Sequence, residues 1–303
     1  MSTFYPPVRA RLDRTRFLLH RTAIEVAGDL TARHLPHGTV LDPIFVSPQS
    51  DTIDRYTRGG DSAIWTGHYL AAETYRYAAT GAADALESVR AIVRSMRRLI
   101  DVTGTNLLAR LWLPADSPWL DAIAAEEGHH GLYEATLDGR AAVWVGNTSR
   151  DQYMGFFFGL SAAYEWITDA GLRAEIADIV TRALGFLLDK GWAVVMPNGE
   201  SSTVFWQRVD QRLALLQVGR QVNDPRFSSP YRNERFLGSL GVMAPVAFEV
   251  AEPHDSYFKL NLVAIGMFCL IRGELSERTE TATLTPTAYS VRPSTITAMR
   301  TST

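Results

Sequence analysis

The sequence predicts an all-α fold, an (α/α) toroid of helical hairpins, on three observations. Helical segments that are apolar nearly all round alternate with amphipathic ones. That alternation repeats along the chain. The all-apolar segments also open alike, on Asp followed by Ser or Gln: Asp61-Ser62, Asp151-Gln152, Asp210-Gln211 and Asp255-Ser256. A helix apolar on every side must be surrounded by protein, whereas an amphipathic one lies outside. An inner and an outer ring of helices satisfy both.

In chain order, residues 8 to 35 read as a helix, with Phe17, Leu18, Ile24 and Leu30 set among Arg and Asp. Residues 36 to 60 read as a long connection rich in Pro, Gly, Ser and Asp, of the kind that often carries function. Residues 61 to 79 form the first buried helix, stopped at Thr80-Gly81. Residues 82 to 102 are amphipathic: Leu86, Val89, Val93, Met96 and Ile100 oppose Glu87, Arg90, Arg94, Arg97 and Arg98. That arginine run is a solvated face rather than a nucleic-acid surface. The pair recurs as 151 to 167, then a break at Asp169-Ala-Gly171, then the amphipathic 172 to 190. A third buried segment starts at Asp210 and a fourth runs from Asp255 to Arg272, with a further helix over 234 to 250 between them. Small inserted β-hairpins are expected over 132 to 145, around Asp138-Gly139, and over 192 to 206, around Pro197-Asn198-Gly199. One domain is expected over 1–278, followed by a Thr-rich irregular tail over 279–303. Nine or ten helices fall short of the twelve of a complete six-hairpin ring, so the ring is incomplete or the chain once continued.

The bulk properties narrow the function classes. The chain of 303 residues has a formal net charge of -3 and a pI near 6.2, which argues against broad nucleic-acid binding. The single Cys269 lies in the apolar run Leu262 to Ile271 and reads as a core residue; it excludes a disulfide-stapled scaffold. The apolar runs are too short to span a membrane and no signal-peptide pattern opens the chain, so a cytoplasmic protein is expected.

The acidic starts carry the candidate chemistry. Inner helices of a toroid run parallel, so their N-termini meet at one mouth, and carboxylates crowded there raise one another's pKa. Asp is also a strong N-cap, and for Asp61, Asp210 and Asp255 capping is the plainer reading. Asp151 differs: Ser149 and Gln152 have capping-box spacing, which leaves Asp151 in the first turn with nothing to cap. Arg150 beside it suits a carboxylate or a substrate anion. His68 and the aromatics Trp65, Trp144, Trp206, Tyr153 and Tyr257 are candidates for lining the funnel, against the plainer reading of core. Glu126-Glu127-Gly-His129-His130 suggests a metal cluster, but adjacent histidines on an extended chain point opposite ways. A surface loop is therefore expected, with no metal and no cofactor.

The segments Gly60-Asp-Ser-Ala-Ile-Trp-Thr-Gly67 and Asn147-Thr-Ser-Arg-Asp-Gln-Tyr153, and more weakly Asp255-Ser-Tyr-Phe-Lys-Leu-Asn-Leu262, make the chain resemble the six-hairpin glycosidase-like superfamily. The likeness covers residues 60 to 272 loosely and is nearest to uncharacterised bacterial toroids. It implies a carboxylate acid/base pair at the mouth, here Asp61 and Asp151. The expectation is a carbohydrate-active enzyme, a glycoside hydrolase or lyase, with Asp151 as acid, Asp61 as base, and Arg150, Trp65, His68, Tyr153, Asp210, Asp255 and Tyr257 binding a small-molecule or oligosaccharide ligand. The alternatives are a cytoplasmic cyclase or lyase acting on a non-sugar intermediate, or a non-catalytic ligand-binding toroid.

Overall fold

The computed structural model describes the backbone of residues 21–238 and 257–284, with side chains over 21–236 and 258–274. Over these residues the protein is mostly helical, with small sheets set between the helices. Helix α1 covers 21–34 and widens to π geometry over Leu30–His34. Strands β1 (Asp42–Phe45) and β2 (Ile53–Thr57) then form an antiparallel hairpin inside the stretch expected to be irregular. Its alternation was masked by Pro43, Asp42 and Asp54, residues that strands disfavour. Helix α2 (Ser62–Thr80) stops at Gly81, whose φ of 66° is the left-handed C-cap that Thr80-Gly81 announces. Helix α3 is Ala83–Asp101.

Strand β3 (Leu111–Pro114) and helix α4 (Leu120–Glu127) follow, neither expected from sequence. Strands β4 (Leu132–Leu137) and β5 (Arg140–Val145) form the hairpin that Asp138-Gly139 signals, with positive φ at both turn residues (51° and 76°), as a type I′ turn needs. β3 adds to β5, giving the order β3-β5-β4. Helices α5 (Arg150–Trp166) and α6 (Ala170–Asp189) are the second hairpin. Asp169 caps α6, accepting from Leu172 N at 2.9 Å, so the break lies at Ile167-Thr168 and Ala170-Gly171 belong to the helix. Strands β6 (Ala193–Val195) and β7 (Ser201–Val204) pair next. Helix α7 (Val209–Gly238) breaks at Asn223, two residues before Pro225, where proline's missing N–H suits a restarted helix. Helix α8 (Tyr257–Leu284) runs past 278, so the expected tail begins helical. Most of the helix expected over 234–250, and Asp255 itself, lie outside the described residues.

Matched contacts fix the helix directions. Gln152 of α5 reaches Asp61 and Ile64 of α2, while a Cβ on Gly67 would collide with Gly155 O and one on Gly159 with Gly67 O. Numbers rise together, so α2 and α5 are parallel, their backbones in contact through Gly67, Gly155 and Gly159. Phe158 packs on Phe268 and Glu165 pairs with Arg272, which makes α8 parallel to α5. Ala214 faces Gly266 and Gln217 faces Gly273, which makes the first part of α7 parallel to α8. The amphipathic α3 and α6 return outside and are joined by Arg90–Asp169, Arg97–Glu175 and Arg182–Asp101 ion pairs. Two arginines of the α3 face, Arg90 and Arg97, therefore pair with α6 and its cap, while Arg98 pairs with Asp138.

The main core lies between these layers, around Ile64, Leu70, Tyr153, Phe156, Phe157 and Phe227, all fully buried. Each such side chain contributes about 1.5–3 kcal/mol. A small second core of Leu41, Tyr56, Leu111, Leu113, Ile123 and Val145 binds the β1–β2 hairpin, the three-stranded sheet and α4 together. It sets the end of α4 against the start of α2.

Candidate functional site

Asp61 ends a 3-10 turn (Gly59–Asp61) that delivers the chain into α2, after Arg58 in the left-handed conformation (φ 56°). Its side chain caps nothing. Asp61 Oδ1 instead accepts from Gln152 Nε2 at 3.1 Å, and Gln152 Oε1 accepts from Ile64 N at 3.0 Å. Gln152 thus replaces Asp61 as the partner of an α2 first-turn donor. The capping reading of Asp61 is overturned, and its carboxyl, about half exposed, is left for the cleft.

The capping box at α5 is overturned as well. Ser149 makes no cap bond to the backbone. Its Oγ donates to Asp151 Oδ1 and accepts from Arg110 Nη2 at 2.9 Å. Asp151 Oδ1 itself accepts from Gln152 N at 3.0 Å, so Asp151 takes part of the capping work assigned to Ser149. Asp151 Oδ2 has no hydrogen-bond partner among the described residues.

Arg110 holds the loops together. It is 7 % exposed, and its guanidinium donates to Gly60 O (2.7 Å), Asn147 O (3.0 Å) and Ser149 Oγ, and lies 4.0 Å from Asp61 Oδ1. Burial lowers its pKa, opposed by the charges of Asp151, Asp61 and Glu127. Burial also raises the pKa of Asp61, helped by the charge of Asp151 and opposed by Arg110, Gln152 and Arg58. Two carboxylates are thus coupled across the starts of two parallel helices, with one held towards its neutral form.

Asp61 opens on a cleft of about 290 Å³ lined by Arg58, Gly60, Arg110, Glu126, Glu127, His129 and His130. The surface-loop expectation for this last group fails. Glu127 closes α4 and is 5 % exposed, and Gly128–His130 form a 3-10 turn rather than an extended chain. Both imidazoles therefore lie on one side, their ring centroids 3.9 Å apart. A Cβ on Gly60 would lie 2.6 Å from Glu127 Oε2, so the Glu127 carboxylate packs directly against the Gly60 backbone. His130 has its pKa pushed down to about 4 by burial and by the Arg110 and His129 charges. A larger hollow of about 600 Å³ lies between α6 and the β6–β7 hairpin, but its Arg182 is tied to Asp101 and Asn106. Carboxylates, guanidinium groups and imidazoles converge in the smaller cleft.

The other expected ligand-binding residues divide. Arg150 donates to Val204 O at 3.0 Å, joining α5 to β7. Tyr153 is fully buried and its OH accepts from Leu108 N, so it is core and cannot touch a ligand. Trp144 is buried too, stacked on Tyr133. Asp210 begins α7 at the same end of the layer, but it is buried and gripped through both oxygens by Arg208 (2.7 and 2.9 Å), so it does not open on the mouth. His68 is held between Ile64 O and the Asn261 amide, packed between Trp65 and Phe158. Trp65 is 41 % exposed on the same helix face. The side chains of Asp255 and Tyr257 lie outside the described residues.

Sequence reasoning missed Arg110, took Gln152 only as a cap partner, and set Glu127 aside in a surface loop. Arg110 had a readable signal, a lone charge within Leu107-Leu-Ala-Arg-Leu-Trp-Leu113, where a buried charge needs partners. No helix of the described residues is long and apolar enough to cross a membrane. No protein-family model, curated protein or solved structure matches the chain.

Proposed function

We propose that this protein is a carbohydrate-active enzyme, a glycoside hydrolase built on part of an α/α toroid, working by carboxylate acid/base catalysis at the N-terminal ends of α2 and α5. The observation that carries the reading is Asp61: a carboxyl that caps nothing, opens on the cleft, and is biased towards its protonated form by burial and by Asp151. The bias exchanges the roles expected from the sequence, Asp151 as acid and Asp61 as base. Asp61 is the general acid, giving its proton to the glycosidic oxygen as the bond to the anomeric carbon breaks. Asp151, through Oδ2, accepts the proton of the water that adds to that carbon. Four parallel helices, α2, α5, the first part of α7 and α8, with two returning outer helices support the toroid.

The same pair would serve a lyase, with Asp151 taking a carbon-bound proton and no water added. A glycan panel assayed for new reducing ends and for unsaturated products separates the two. Wild type is expected to release reducing ends without unsaturation, and Asp61→Asn and Asp151→Asn to lose about 10²–10⁴-fold in rate while remaining folded. No turnover of any glycan, or unchanged rates in both variants, would overturn the reading.

A further inference from the structure

We infer that Glu127, His129 and His130 form a binding site for a divalent transition-metal ion of the zinc class at the rim of this cleft. The inference goes beyond the acid/base reading and does not depend on it.

Three ligand atoms, one from each residue, all lie within 4.8 Å of one another. Around an ion bound at about 2.0–2.1 Å in tetrahedral geometry, ligand atoms sit about 3.4 Å apart. The set needs only small side-chain adjustments to close. Two imidazole nitrogens and a carboxylate oxygen suit a borderline ion such as Zn²⁺ or Co²⁺ rather than Mg²⁺ or Ca²⁺.

Glu127 supplies an independent observation. Its side chain is only 6 % exposed and lines the cleft, where its carboxylate oxygens touch solvent, and it accepts no hydrogen bond among the described residues. His130 Nε2 lies 3.5 Å from its Oε2. A carboxylate this deep with no protein donor is poorly paired, and a cation shared with the two histidines would pair its charge. The neighbouring Glu126 is not in this position, since it accepts from Thr57 Oγ1 (2.7 Å) and Arg58 N (3.2 Å).

The histidines are oriented for the task. His129 Nδ1 lies 3.0 Å from Glu126 O, and a carbonyl only accepts, so Nδ1 carries the proton and Nε2 keeps its lone pair. A ligating imidazole is commonly fixed in this way, through its other nitrogen. At His130, Asn147 Nδ2 lies 3.4 Å from Nδ1 and donates to it as placed; turned over, the same amide would accept from Nδ1 and leave Nε2 for the ion. The charged side chains lining the cleft are three acidic (Asp61, Glu126, Glu127) and two basic (Arg58, Arg110), so it tolerates a cation. Three protein ligands leave a fourth position open.

Cobalt(II) titration of the untagged, chelator-stripped full-length chain tests the proposal, read by the visible absorption of bound Co²⁺ and by calorimetry. One ion per chain is expected, displaced by Zn²⁺ and not by Mg²⁺. His129→Ala, at an exposed position that should leave folding intact, is expected to weaken binding at least tenfold, and Glu127→Gln to do the same. No saturable Co²⁺ binding by wild type, or unchanged affinity in folded His129→Ala, would overturn the assignment. Neither result depends on glycan turnover, so failure here is distinguishable from failure of the acid/base reading.

Discussion

Gln152 donates from Nε2 to the carboxylate of Asp61 at 3.1 Å, across two helices, and the same amide accepts from the backbone of Ile64. One fully buried side chain therefore both aims the candidate acid and satisfies a helix-start donor. Gln152→Leu keeps the size but strands the Ile64 N–H. It is expected to cost about 1–3 kcal/mol, read as a lower urea midpoint at unchanged m-value. Gln152→Glu restores the acceptor and adds a third carboxylate beside Asp61 and Asp151, so it should shift the pKa of Asp61 further upward.

The Gln152–Asp61 contact exists because α2 and α5 touch through backbone. A Cβ on Gly159 would strike the Gly67 carbonyl, and one on Gly155 would lie 2.5 Å from Ile64 Cγ1. Gly67→Ala and Gly159→Ala force the helices apart and are expected to cost about 3 kcal/mol or more, at the upper end of overpacking. Gly28→Ala is the control: no atom lies within 4 Å of its Cβ and it sits inside α1, so it should stabilise by about 0.5–1 kcal/mol. Thermal unfolding of the three variants in one buffer gives the ordering.

The apolar periodicity carried the helix layers. It distinguished the all-round apolar α5 from the two-faced α3 correctly, because a surrounded helix and an outer one bury different faces. The Asp138-Gly139 turn was equally readable, since few sequences accept positive φ twice in succession. What failed was the detail at helix starts. Ser149 and Gln152 have the spacing of a reciprocal cap, but other partners displace that bond: Asp151 in the same turn and Arg110 from a distant loop take Ser149, and α2 takes Gln152. Glu127 read as part of a polar loop because its burial depends on Ile123 and Leu111 in a small core assembled from three separate segments. Local spacing cannot foresee partners that lie some forty to ninety residues away.

The raised pKa of Asp61 has a stability signature of fixed sign. Its folded value lies above the ordinary 3.8, so the fold prefers the neutral acid. Below about pH 3.8 both states hold the proton and Asp61 costs nothing; as the pH rises through the folded value the native state must ionise it against that preference. Wild type should therefore lose stability relative to Asp61→Asn as the pH rises from about 3 to 7, by less than about 1 kcal/mol because the side chain is half exposed. Denaturant midpoints for both proteins at each pH measure the difference. A gap that widens in the opposite direction would contradict the assigned shift.

Arg110 separates charge from geometry in the same site. It opposes the upward shift of Asp61, and its fork carries the Gly60 and Asn147 carbonyls. Arg110→Met removes both functions. Breaking a buried charge network by deleting one partner costs about 3–5 kcal/mol. Losing the cation should also move the pKa of Asp61 further up. If Asp61 acts as the acid, activity falls as it ionises, so the alkaline limb of the pH–rate profile should move to higher pH in Arg110→Met. Arg110→Lys returns the charge without the planar fork, since an ammonium cannot match the carbonyl pair in the same way. It is expected to bring the alkaline limb back towards that of wild type while recovering only part of the stability. Carboxyl-carbon NMR titration of Asp61 reads the shift without turnover, and an unchanged Asp61 titration in Arg110→Met would show that the guanidinium serves the loops alone.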